Sequence, residues 1–200
     1  MRSPRSSSAK GFDREIRERL TDSIRTKERV LEKLVPAIER AARLLIDALE
    51  GGHKILLFGN GGSAADSQHI AAELVGKLIV KRRALAAIAL TTDTSNLTAL
   101  ANDFGYDTIF ARQVEALGQA GDVAVGISTS GHSPNVLAAI QAAHERGLKT
   151  VALTGRDGGP LGRMADLAIT IPSDSTQRIQ ESHITIGHIL CELVESHFSG

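Results

Sequence analysis

After Gly51-Gly52 the sequence settles into an alternation that leaves few folds open. Five short, largely apolar runs recur at 54–58, 85–90, 122–127, 150–153 and 167–171. They are continuous rather than alternating, which is how a strand reads when both faces of its sheet are covered. Segments of helical spacing separate them at 64–76, 96–101, 108–117 and 135–146, and a last helix is expected over 176–197. Parallel neighbours need long crossovers, and each helix supplies one. The expected architecture is a three-layer α/β/α sandwich around a mainly parallel five-stranded sheet.

Residues 12–50 precede that pattern with Ile16, Leu20, Ile24, Val30, Leu31, Leu34, Ile38, Leu45, Ile46 and Leu49, mostly three or four apart. These are amphipathic helices, and Pro36 marks a break or the first turn of a second one. Their apolar faces would pack on the sheet or on a sister subunit. Residues 1–11 are polar and Ser-rich and read as a disordered tail, which leaves 12–200 as a single domain. Charge supports self-association over a polyanionic partner. With 23 basic and 23 acidic side chains the chain lacks the excess that nucleic acid or an anionic membrane surface attracts. Zero net charge also gives little protection against oligomer formation. The single Cys191 precludes an internal disulfide framework and fits a reducing, cytoplasmic setting. No apolar run approaches the ~20 residues of a membrane span.

In sheets of this kind ligands bind beyond the carboxyl ends of the strands. The first run ends in Gly59-Asn60-Gly61-Gly62-Ser63, where glycines permit a tight turn and Ser63 reads as the N-cap of the next helix. The second ends in Thr91-Thr92-Asp93-Thr94-Ser95. The third ends in Ser128-Thr129-Ser130-Gly131-His132-Ser133-Pro134-Asn135, and the fourth in Thr154-Gly155-Arg156-Asp157-Gly158-Gly159. Hydroxyls, amides and helix N–H groups dominate, with little fixed charge. That suits a ligand with several hydroxyls and one phosphate, which Ser128, Thr129, Ser130 and Ser133 would hold without a lysine. The glycine turn also fits a dinucleotide fingerprint, but no acidic residue follows at a strand end about 20 positions on.

His69 and Glu73 are four apart and share a face of the helix that follows the glycine turn. Farther on, Gln177-Arg178-Ile179-Gln180-Glu181-Ser182-His183-Ile184-Thr185-Ile186-Gly187-His188 sets two histidines in an apolar helix. Such an imidazole needs a partner, and a carboxylate or a metal would serve.

The blocks GNGGSAADSQHIAAE, TTDTSNLTALANDFGYDTIF, GISTSGHSPN and RIQESHITIGHILCELVE together resemble the bacterial phosphoheptose isomerases of the sugar-isomerase (SIS) domain superfamily. The resemblance spans roughly residues 12–198. It implies an aldose–ketose isomerase acting on sedoheptulose 7-phosphate to give D-glycero-D-manno-heptose 7-phosphate, the first step toward ADP-heptose. It further implies a homotetramer with active sites at subunit interfaces and one Zn²⁺ per subunit. By that match the metal ligands are His69, Glu73, Gln180 and His188, and the catalytic pair is Glu73 and His188. Substrate contacts fall on Asn60, Gly61, Gly62, Ser63, Glu73, Asn102, Asp103, Ser128, Thr129, Ser130, Ser133 and Gln180. His132, His183 and Cys191 are neighbours. Lys77 stands where relatives can carry arginine, and Gln177 where they can carry aspartate. A tension accompanies the ligand set, because Gln180 and His188 lie about 12 Å apart along one helix. Either Gln180 precedes the regular helix or the ligands come from different subunits. The rival expectation is a non-catalytic SIS protein that binds the bacterial replication initiator. Retention of both Glu73 and His188 favours the enzyme.

Overall fold

The computed structural model describes residues 9–199. Two helices, α1 (Ala9–Lys33) and α2 (Val35–Glu50), lead into the sheet, with Pro36 in the first turn of α2, where its missing N–H costs nothing. There follow β1 (Ile55–Gly59), α3 (Gly62–Val75), β2 (Ala87–Ala89), α4 (Thr94–Phe104) and a single 3₁₀ turn at Tyr106–Thr108. The chain continues through α5 (Ala111–Leu117), β3 (Val123–Ser128), α6 (Pro134–Glu145) and β4 (Lys149–Gly155). It closes with α7 (Gly159–Met164), β5 (Leu167–Ile171) and α8 (Thr176–His197). All five strands are parallel, in the order β2-β1-β3-β4-β5. No described helix is long and apolar enough to cross a membrane.

Strand residues alternate between two cores because successive side chains point to opposite faces. Ile55, Leu57, Val123, Val125, Val151 and Leu153 pack toward α2, α3 and α8, against Leu45, Leu74 and Ile186. Leu56, Phe58, Ala124 and Ala152 pack toward α5 and α6, against Val114, Val136 and Ile140. A sheet buried on both faces is why its strands read as unbroken apolar runs. The order reverses at β1 and β3: the chain leaves β1 toward one edge and β3 toward the other. That is the switch point where such sheets open a ligand crevice.

Four details differ from the sequence expectation. Helix α1 begins at Ala9, so residues 9–11 are helical; the rest of the tail lies outside the described residues. Only 87–89 of the second apolar run pair as a strand, since β2 lies at an edge with one neighbour. Helix α7 forms between the fourth and fifth runs, where no helix is expected from the sequence. Finally, α3 starts two residues early, with Gly61 as its N-cap, so Ser63 lies inside the helix and caps nothing.

Candidate functional site

The glycine turn is built for close approach. Gly61 adopts a φ of 57°, a left-handed conformation that favours glycine. A Cβ on Gly62 would overlap the Gln180 amide, so this glycine lets the head of α8 press against the loop. The Asn60 side chain is held from two sides. Its amide donates to Asn135 Oδ1 at 2.8 Å, while its Oδ1 accepts from Asn135 Nδ2 at 2.9 Å and from the Tyr106 hydroxyl at 3.0 Å. Asn135, 1% exposed, thereby ties the glycine turn to the serine loop after β3. In that loop Ser133 precedes α6 but does not cap it; its Oγ lies 2.9 Å from Ser128 Oγ. Ser130 Oγ accepts from the His132 amide at 3.2 Å, and the His132 ring folds back onto the Ser130 carbonyl. The hydroxyls of 128, 130 and 133 therefore gather at the mouth of β3, beside the turn of β1.

Helices α3 and α8 cross where Gly187 faces Ile70; a Cβ there would sit 2.7 Å from Ile70 Cδ1. That close crossing brings the next residue, His188, to the face of α3 that carries His69 and Glu73. His69 Nε2 lies 2.9 Å from Glu73 Oε1, His188 Nε2 lies 3.5 Å from the same oxygen, and the two Nε2 atoms are 3.1 Å apart. Those separations are close to the ~3.4 Å edge of a tetrahedron of donors about 2.1 Å from a zinc ion. Glu73 Oε2 is buried with no hydrogen-bond partner, so the carboxylate has unfilled capacity. The donor set thus fits a zinc ion. Both imidazoles are half-exposed, which leaves the cluster open on a single chain.

The structure does not gather every expected residue here. Gln180 lies within regular α8, on Gly62 and near Asp66, and its distance along the helix from His188 remains about 12 Å. Asn102 and Asp103 pair with each other at 2.8 Å on α4, a helix with no buried residue. Thr129 is partly buried in the serine loop, Gln177 accepts from Ser175 Oγ at 3.0 Å, and Lys77 is exposed just past α3. His183 is fully buried and bonds to the Thr154 carbonyl at 2.9 Å. Its partner is thus neither carboxylate nor metal. Cys191 is a core residue, 2% exposed, whose thiol burial pushes well above its usual range. Sequence reasoning missed Asp66, Asn135 and Tyr106. Asp66 is one turn before His69, and its pKa is raised by burial, against the pull of His69, Gln180 and His188. The i, i+3 spacing to His69 was the available signal. The partners of Asn60 are 46 and 75 residues away in sequence and carry no local signal.

Comparison with known proteins points the same way. The SIS domain family matches residues 20–155. A phosphoheptose isomerase of Sulfurimonas denitrificans is 52% identical over 187 residues, covering 92% of this chain and 96% of that one. Another, of Citrifermentans bemidjiense, is 60% identical over 163 residues, covering 82% and 85%. The solved phosphoheptose isomerase of Neisseria gonorrhoeae superimposes with a TM-score of 0.88 at 48% identity, over 92% of this chain and 99% of that one.

Proposed function

The chain belongs to the phosphoheptose isomerase family of SIS-domain enzymes and is a sugar-phosphate isomerase, and from that premise we propose that it converts sedoheptulose 7-phosphate to D-glycero-D-manno-heptose 7-phosphate, the first step toward ADP-heptose. The observation that carries this reading is the meeting of Glu73 with His69 and His188 between α3 and α8, the two helices whose first turns meet at the glycine loop. Aldose–ketose isomerisation moves a proton between adjacent carbons through an enediol and exchanges protons between its two oxygens. Glu73 is the base for the carbon-bound proton. Of its two oxygens, Oε1 meets the half-exposed imidazoles and is the one a substrate there would reach, while Oε2 is buried. His188 serves the oxygens. Its neutral imidazole has one nitrogen to accept and one to donate, so a single ring moves a proton from one oxygen to the other.

The phosphate sits among Ser128, Thr129, Ser130 and Ser133 at the start of α6, where backbone N–H groups and the helix dipole favour an anion. Asn60, Gly61, Gly62 and Ser63, with Asn102, Asp103 and Gln180, receive the hydroxylated chain. A zinc ion held by His69, Glu73 and His188, with Gln180 of a second copy as fourth donor, would polarise the carbonyl. A second copy also accounts for an uncovered stripe on α1: Phe12, Ile16, Leu20 and Ile24 recur every four residues and are 57–64% exposed. A homotetramer of that kind covers the stripe and the half-exposed histidines together.

The test is incubation with sedoheptulose 7-phosphate, with and without chelator, followed by NMR of the product. The expected result is the aldose phosphate, formed more slowly once metal is removed. Absence of conversion by metal-replete protein would overturn the assignment.

A further inference from the structure

Seven residues beyond His188, on the same face of α8, the carboxylate of Glu195 is buried beside the segment that leaves α3. It accepts three successive backbone amides, from Leu78 at 2.9 Å, Ile79 at 2.6 Å and Val80 at 3.1 Å. Arg82 Nε lies 3.7 Å from Glu195 Oε1, and both side chains are at most 3% exposed. Burial by itself would raise the Glu195 carboxyl; the three amides and Arg82 outweigh it and hold the group below its usual value. The guanidinium then turns back onto the end of α3. Its Nη2 donates to the main-chain carbonyl of Glu73 at 2.7 Å, and its Nη1 donates to the carbonyls of Gly76 and Arg83 at 3.1 and 3.0 Å. Residues 77–83 form no strand or helix and are largely exposed. Two charged groups are therefore taken out of water to fix a segment that has little other hold.

A helix end is often capped by a cation, and a loop can be pinned by a carboxylate. Here one unit does both, and its terminal contact is the carbonyl of the residue proposed as base. Glu195 rises from the helix that carries His188, and Arg82 ends on the residue that meets it. The pair sets how the end of α3 stands against α8. We infer that Glu195 and Arg82 are positioning residues for Glu73, holding its carboxylate at the two imidazoles; this rests on the isomerase reading of that cluster.

The test compares wild type with Glu195→Gln and, as a milder second variant, Arg82→Lys, each assayed well below its own melting temperature. Groups that orient metal ligands from behind typically contribute 10–100-fold to metal affinity or activity. The expected result for Glu195→Gln is a fall of about that size in kcat, with KM within twofold, and a fall of at least tenfold in zinc affinity by competition with a chelator. A third reading needs neither metal nor turnover. The His69 and His188 ring centroids lie 5.1 Å apart, so their ring protons should show a cross-relaxation signal in the metal-free wild type that weakens in the variant. Arg82→Lys, which cannot reach all three carbonyls, should move the same quantities less. A lowered melting temperature with kcat, zinc affinity and the histidine signal all within twofold of wild type would overturn the inference. Because the ring signal is read without substrate, failure of the clamp is distinguishable from failure of the isomerase assignment.

Discussion

At the amino end of the sheet, Asp166 Oδ2 accepts from the Thr150 amide at 2.8 Å and its hydroxyl at 3.0 Å, the Asp166 amide returns to Thr150 Oγ1 at 2.8 Å, and His144 Nε2 closes on that oxygen at 2.9 Å. Nearby, Asp122 takes the amides of Lys54 and Gln119 and the Lys54 ammonium. Between α3 and α8, His69, Glu73 and His188 make contacts just as short, but mostly with one another. One Glu73 oxygen has no partner, and two rings face outward. The same kinds of residue meet in both places. At the first their bonding capacity is consumed by the main chain, which fastens strands to helices. At the second it is kept open, and open capacity is what a substrate or metal needs.

The comparison breaks most visibly at Glu73. Glu73→Gln should fold normally and lose about 10³-fold in kcat, within the range for removal of a general base; steady-state kinetics with matched circular dichroism decides this. Next in size is His69→Ala, expected to lower zinc affinity by at least tenfold, as measured by elemental analysis after dialysis against a weak chelator. Asp122→Asn belongs to the amino-end cluster. It should reduce stability by about 2 kcal/mol in urea denaturation, the scale of a hydrogen bond to a charged group, and leave kcat unchanged.

An effect that shows only as pH falls concerns His183, five residues before His188 on α8 but closed off like the amino-end groups. Burial lowers its pKa from 6.5 to about 4, with the bond to Thr154 pulling the other way. The sign follows from the depressed value. Above pH 6.5 neither state is charged and stability is complete. Between 6.5 and 4 the unfolded chain takes up a proton that the fold refuses, so stability falls as pH falls. About 2.5 units correspond to roughly 3 kcal/mol by pH 4. His183→Gln should flatten that slope in pH-resolved denaturation.

The alternation of apolar runs and helices was enough to read the sheet, because a strand covered on both faces has no polar positions to blur its limits. What the residues left unread depends on breakers or on neighbours. Helix α7 hides behind Gly159, Pro160 and Gly162, and β2 shrinks because an edge strand has one partner. At the site, His69 and Glu73 were legible as a helical pair. Their union with His188 was expected from the resemblance and not from spacing, since it turns on Gly187 admitting Ile70 across 117 residues of sequence. The roles expected for Asn102 and Asp103 came from the resemblance alone, and a single chain leaves both exposed on α4. Asn135, Arg82 and Glu195 act on main chain or on one another at long range, where spacing carries no trace.

The account stands most directly on where a metal goes. Protein stripped of metal and then supplied with one equivalent of zinc should give, by X-ray diffraction at the zinc absorption edge, one anomalous peak per chain bonded to His69, Glu73 and His188, with nothing at His144 and Asp166. Zinc bound at the amino-end cluster instead, or a His69–Glu73–His188 cluster that stays empty under these conditions, would contradict it.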